Sequence, residues 1–216
     1  MKIIHVVLLA MIANISTSSA QQSSMPPCKG EESKDWNGCV GVKNYQLGNL
    51  TYVYTGEFQK GAPNGSGKTE WSDGYKHVGQ FKNGLREGVG TAYHANGLIE
   101  FKGKFVRDQP SGFGTGTIIS GNSVIGNYEG NWIGRKREGQ GTFTWPNGMK
   151  YVGAWKEDKR EGNGTQYWPD GQRYVGNWKE NKRDGQGAHY LTDGRVISGL
   201  WQDDKPTSSA NITKAR

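Results

Sequence analysis

A unit of twenty-three residues recurs along the chain, and that period constrains the fold more than any other feature of the sequence. Its clearest copies begin Tyr128-Glu129-Gly130-Asn131-Trp132, Tyr151-Val152-Gly153-Ala154-Trp155 and Tyr174-Val175-Gly176-Asn177-Trp178. Each continues through a basic pair into Gly-x-Gly (Gly139/Gly141, Gly162/Gly164, Gly185/Gly187) and closes with Asn147-Gly148, Asp170-Gly171 or Asp193-Gly194. Gly130, Gly153, Gly176 and Gly199 follow one another at intervals of 23. A unit this small cannot bury a hydrophobic face alone, so each copy must pack on its neighbours. Composition agrees: with 33% hydrophobic residues and 34 glycines in 216, a deep two-layer core is not expected.

The period extends upstream. One unit runs Tyr54-Thr55-Gly56-Glu57-Phe58, Gly65-Ser66-Gly67, Asp73-Gly74, and the next runs His77-Val78-Gly79-Gln80-Phe81, Gly88-Val89-Gly90, Asn96-Gly97. A third, Phe101-Lys102-Gly103-Lys104-Phe105 with Gly112-Phe113-Gly114, starts one residue late, and an insertion over 115–127 stretches its second half. That irregular stretch is the expected place for a bend, a bulge or a specific loop. Ile197-Ser198-Gly199-Leu200-Trp201 is a half-unit able to cap the array, and residues 206–216 read as a disordered polar tail. Ahead of the array, Trp36 to Gly41 resembles the second half of a degenerate unit, with Cys39 and Gly41 in the Gly-x-Gly places.

Within a unit the periodicity is two. Tyr151, Gly153 and Trp155 share one face of a strand, and Val152 and Ala154 the other. Three residues after the second aromatic stands Gly61, Gly84, Asp108, Asp158, Asn181 or Asp204, residue types that tolerate a left-handed backbone. Arg135 alone breaks this series, with Gly134 beside it. A turn there makes each unit a β-hairpin, and the closing Asp-Gly or Asn-Gly leads into the next. The predicted fold is all-β: an elongated, single-layer, twisted antiparallel sheet of consecutive hairpins. Glycines in a strand leave room for a ring to lie over the backbone, so Trp132, Trp155 and Trp178 are expected to cover the Gly-x-Gly of their own or the adjoining hairpin.

Residues 1–20 read as a secretion signal: Lys2, an apolar run from Ile3 to Ile12, and a small-residue cleavage site at Ser18-Ser19-Ala20. The run is too short to span a bilayer. Cleavage after Ala20 would deliver a secreted or periplasmic protein, with residues 21–53 as its N-terminal segment. In an oxidising compartment Cys28 and Cys39, the only two cysteines, are expected to join as a staple rather than act as a redox pair. The net charge of +7, or +6 without Lys2, favours anionic partners such as phospholipid headgroups or acidic polysaccharides. Export and the absence of any recognisable motif argue against nucleic acid.

Catalysis finds no support. His77, His94 and His189 fall at different repeat positions, no nucleophile and base share a local motif, and no metal-ligand spacing occurs. An envelope-polymer hydrolase therefore ranks last, and no cofactor is expected. Two features remain as candidate binding surfaces. Lys136-Arg137, Lys159-Arg160 and Lys182-Arg183 recur at 23 and would form a ladder along one edge for phosphates or sulfates. Glu138, Glu161 and Asp184 follow directly, and the alternative is a neutralised, solvated turn. Trp71, Trp145 and Trp168 end second strands. They either form a stacking surface for a glycan or a protein, or fill the groove between hairpins.

The pattern Tyr-x-Gly-x-Trp/Phe, a turn, Gly-x-Gly and Asp-Gly resembles the MORN repeat over residues 54–205, as six repeats and a terminal half-repeat. The cysteine-bearing segment is similar to that of small exported bacterial proteins carrying the same repeat. The resemblance implies a non-enzymatic scaffold or binding module. In that family the repeats are credited with protein association and dimerisation or with acidic-lipid binding. The expected function is therefore association with a protein partner or with a second copy. The alternative is binding of anionic lipid or acidic glycan through the basic ladder, which salt would weaken steeply.

Overall fold

The computed structural model describes residues 23–30 and 33–214; the stretch read as a secretion signal and the last two residues of the tail lie outside them. After a short 3-10 turn at Ser33–Asp35 the described chain is almost entirely β. The strands are β1 Cys39–Leu47, β2 Leu50–Gln59, β3 Ala62–Trp71, β4 Lys76–Lys82, β5 Leu85–Tyr93, β6 Ile99–Val106, β7 Gln109–Ser120 and β8 Ser123–Ile133. They continue as β9 Lys136–Thr144, β10 Lys150–Lys156, β11 Lys159–Tyr167, β12 Arg173–Lys179, β13 Lys182–Tyr190, β14 Arg195–Gln202, β15 Lys205–Pro206 and β16 Asn211–Lys214. Strands β1 to β15 pair in sequence order in one antiparallel sheet, and β16 pairs back on β14. The fold is the single-layer meander that the period of two predicts.

The turns follow residue chemistry. Lys60/Gly61, Asn83/Gly84, Arg107/Asp108, Glu157/Asp158, Glu180/Asn181 and Asp203/Asp204 all have both central residues at positive φ, the requirement of a two-residue turn whose twist matches its strands. The hairpin of β8 and β9 differs: Gly134 alone is at positive φ, 62°. Placing glycine at the first central position is the other favoured hairpin geometry, and it explains why Arg135 is tolerated at the second.

In register, the glycines form a row straight across the sheet, from Gly41 and Gly56 through Gly67, Gly79, Gly90, Gly103, Gly114, Gly130, Gly141, Gly153, Gly164 and Gly176 to Gly187 and Gly199. The first aromatic of each unit occupies the space this row leaves. Tyr54 lies against Gly67, Tyr128 against Gly141, Tyr151 against Gly164 and Tyr174 against Gly187, and His77 and Phe101 do the same at Gly90 and Gly114. This corrects the expectation for Trp132, Trp155 and Trp178. Each of these indoles instead wedges edge-on between two tyrosines or phenylalanines; Trp155 lies 5.5 Å from Tyr128 and 5.2 Å from Tyr151. Its Nε1 donates to the Gly141 carbonyl at 3.3 Å, as Trp178 does to Gly164 and Trp132 to Gly114. Single rings fit against the row, and where the ring is a phenol its hydroxyl also donates to the backbone three residues on, Tyr151 to the Ala154 carbonyl at 3.0 Å; the bicyclic indole is left to bridge units.

One face of the sheet thus carries the rings that pack along the glycine row, and Tyr54, Tyr151 and Tyr174 on it are fully buried. A single layer buries them by curling. Gln46 and Leu47 of β1 line the same cavity as Arg135 from the turn after β8, although a flat sheet would hold β1 and β8 about 34 Å apart. The ring face is the concave one and the Val/Thr face the convex one.

The ends depart from the repeat. Cys28 and Cys39 are joined, and the Pro26–Cys28 segment bonds to Val40 of β1. Trp36 packs on Gly41 and meets Phe58 at 4.8 Å, extending the ring face by one unit. At the other end, residues 211–214, expected to be disordered, form β16 along β14. Gly199 makes this possible, since Ala210 comes to within 2.9 Å of the place a Cβ would take. The 115–127 insertion is no loop: it lengthens β7 and β8 into one long hairpin with a register shift at Ile118/Ile119.

Candidate functional site

The basic pairs open the second strand of each hairpin, so their two members project to opposite faces. Arg137, Arg160 and Arg183 turn inward to the ring face. Arg137 donates from Nε to Asp158 Oδ1 and from Nη2 to the Asp158 carbonyl, both at 2.9 Å. Arg183 repeats this on Asp204 at 3.2 and 2.6 Å, Arg86 on Asp108 at 3.2 and 2.7 Å, and Arg160 reaches the Asn181 carbonyl at 2.6 Å. Each guanidinium also lies over the aromatic of the following unit: Arg137 over Trp155 at 4.4 Å, Arg160 over Trp178 at 4.2 Å, Arg183 over Trp201 at 4.4 Å. The arginine therefore clips one hairpin onto the turn of the next, using the planar fork that lysine lacks.

The lysines face outward at the hairpin ends and pair with the same turns: Lys136 with Glu157 at 3.9 Å, Lys159 with Glu180, and Lys182 with Asp203 at 2.7 Å. Donating to the Glu180 and Asp203 carboxylates raises the Lys159 and Lys182 pKa values. The six residues proposed as one ladder for an anionic ligand are thus divided between two faces, and each bonds within the chain. Glu138 and Glu161 do not neutralise them directly; they accept from the turn amides of Glu157 and Glu180 at 3.0 and 2.9 Å.

Trp71, Trp145 and Trp168 all sit half-buried on the concave face. Trp145 packs 4.6 Å from Phe143, and Trp168 lies 5.2 Å from His189, so both fill the groove between hairpins. Trp71 is different. It stacks on Tyr52 at 4.3 Å, Tyr52 stacks on Tyr45 at 4.9 Å, and Trp71 lines a cleft of about 630 Å³ in the trough of the first repeats. Tyr75, Phe81, Asp73 and Glu100 share that cleft. Three acids, Asp73, Glu100 and Asp108, and three bases, Lys76, Arg86 and Arg135, line it; Arg86 pairs with Asp108, Arg135 with Glu100 at 3.4 Å, and Lys76 with Glu70 at 3.4 Å. His77 forms part of the wall, is 1% exposed and has neither ring nitrogen hydrogen-bonded. Burial, reinforced by Arg86, pushes its pKa down to about 3, so it is neutral.

Sequence reading missed this cleft, although a signal was present. Where the later units carry Trp132, Trp155, Trp178 and Trp201, the first three carry Phe58, Phe81 and Phe105, and Thr69 and Ala92 stand where the fourth has Phe143. It also missed a cluster on the convex face, where Val89 is 71% exposed, Phe113 63% and Ile133 70%. Val89 faces Lys104 across β5 and β6, Phe113 faces Asn131 across β7 and β8, and Ile133 lies two residues beyond Asn131.

The sequence model described as MORN repeat matches residues 54–74, 77–99, 101–122, 128–150, 151–173 and 174–194, together more than half of the chain. No curated protein matches it. The six matched stretches coincide with the hairpins described above, and the chain belongs to the MORN-repeat family.

Proposed function

We propose that this protein is an exported, non-enzymatic binding module that engages a protein partner through the convex face of its sheet. The observation that carries the reading is the group of Val89, Phe113 and Ile133, three large apolar residues more than 60% exposed on the convex face. Exposed apolar groups in one neighbourhood mark interaction surfaces. Lys102 and Lys104 stand in the same part of that face, and the chain is basic overall. The partner that fits has an apolar centre with acidic residues around it. Binding of anionic lipid or acidic glycan by a basic ladder has less support, because its arginines are clips within the fold and its lysines are paired.

Cross-linking in the protein's own compartment, with wild type beside a Val89→Ser/Phe113→Ser variant, tests this. The expected result is one partner captured by wild type and lost in the variant, with unchanged thermal unfolding, since neither residue packs in the core. Capture that survives both changes overturns the reading. Capture of a second copy alone would replace a heterologous partner with self-association. Export rests on the apolar leader and on the Cys28–Cys39 bond, which persists in oxidising compartments; the mature protein is expected outside the cytoplasm with Gln21 at its N-terminus. An uncleaved cytoplasmic chain would refute that.

A further inference from the structure

We propose that the concave cleft at the first three repeats is a binding site for a neutral glycan, independent of the convex surface. The cleft is written into the sequence as a departure from the repeat. The fourth repeat carries Trp132 and Phe143 where the first two carry phenyl rings and the smaller Thr69 and Ala92; Thr69 and Phe81 line the opening of about 630 Å³. That lies within the range of small-ligand sites, on the order of 300–1,000 Å³.

The chemistry of the walls selects the ligand. The lining holds three acids, Asp73, Glu100 and Asp108, and three bases, Lys76, Arg86 and Arg135, so the cleft carries no net charge to draw a phosphate, a sulfate or a cationic group. It offers aromatic rings together with carboxylate and amide groups, from Trp71, Tyr52 and Tyr75 on one hand and Asp73, Glu100 and Gln46 on the other. A sugar ring is the complement of such a site: one face of C–H groups to lie on an aromatic ring, and a rim of hydroxyls that both donate and accept. The Tyr45–Tyr52–Trp71 pile, with centroids 4.9 and 4.3 Å apart, fixes the rings before any ligand arrives and lowers the ordering cost of binding. No such pile is built at Trp145 or Trp168, which meet Phe143 edge-on at 4.6 Å and His189 at a tilt at 5.2 Å.

The test titrates the mature protein with cellotetraose, chitotetraose and maltotetraose, followed by calorimetry and by tryptophan fluorescence. At least one should bind saturably, with Kd on the order of 0.1–1 mM, as a small open site allows. The affinity should hold between low and physiological salt. Trp71→Ala should weaken it about tenfold or more and Trp71→Phe less, as loss of a central aromatic anchor does. Glu100→Gln should weaken it, and Trp145→Ala should leave it unchanged. Thermal unfolding of each variant separates a lost site from a lost fold, and Trp71→Phe, which keeps a ring, serves if the alanine variant does not fold. The proposal is overturned if none of the three sugars binds up to about 10 mM, if binding survives Trp71→Ala, or if inorganic phosphate competes with the sugar.

Discussion

The phenol of Tyr151 lies so close over Gly164 that a Cβ added there would overlap its hydroxyl, Cζ and Cε2. Gly164 has an ordinary extended backbone, so its requirement for glycine is one of space alone. Gly171 is the opposite case, at φ 92° with nothing near its missing side chain. Gly164→Ala is expected to cost about 3 kcal/mol through overpacking, against about 1 kcal/mol for Gly171→Ala through backbone strain. Urea unfolding of both variants checks this, and equal costs would mean that the ring shifts aside without penalty.

Arg160 should not be replaceable by lysine. Its fork bonds the Asn181 carbonyl and Gln166 Oε1 while its plane lies over Trp178. A lysine keeps the charge and loses the fork, leaving the buried Gln166 Oε1 without its partner. Arg160→Lys is expected to lower stability by about 2 kcal/mol, nearly as much as Arg160→Ala. Full rescue by lysine would show that charge alone holds the units together.

The fold was legible because every level of the sequence agreed: the period of 23, the alternation within a strand and the turn residues at Asp158 or Asn181 all specify one hairpin array. The roles of individual rings were less legible. Tyr and Trp both read as apolar groups on one face, yet the space over the glycines takes single rings, Tyr151, Phe101 and His77 alike, and the indoles lie between them. The candidate site was the least legible part. A repeated Lys-Arg pair looks like a ligand ladder until strand alternation and the acids at Glu157 and Asp158 assign each member a partner. The cleft is lined at positions where the repeat is weakest, such as Phe81 and Thr69, and repeat reading averages over those positions.

Reduction of Cys28–Cys39 should act locally. The bridge closes a short ring, with a sequence separation of 11, and stabilises by about 3 kcal/mol in the chain-entropy picture. It holds the Pro26–Cys28 segment against β1, an edge strand otherwise open to pairing with another chain. Because each unit contacts mainly its neighbours, the reduced protein should show faster amide exchange in β1 and β2 while β10 to β14 stay protected. Uniform loss of protection along the chain would mean that the array unfolds as one unit.

His77 makes the array acid-sensitive. Its ring takes the place that Tyr54 and Tyr151 hold in their units, against Gly79 and Gly90 and between Phe81 and Phe105, with no partner for either nitrogen. Burial lowers its folded-state pKa from 6.5 to about 3. Below pH 6.5 the unfolded chain therefore takes up a proton that the folded chain refuses, and stability falls as the pH drops towards 3. The loss from this one group is on the order of 4 kcal/mol, and it is absent above pH 7. His77→Tyr should remove this component. The phenol does not protonate, and its hydroxyl would reach the Gln80 carbonyl as Tyr54 reaches that of Glu57 at 2.9 Å. Unfolding midpoints of wild type and variant should diverge steadily from pH 6.5 downwards, with the variant the more stable. Parallel curves over that range would show that His77 titrates normally in the folded protein and that the trough around it is open to water.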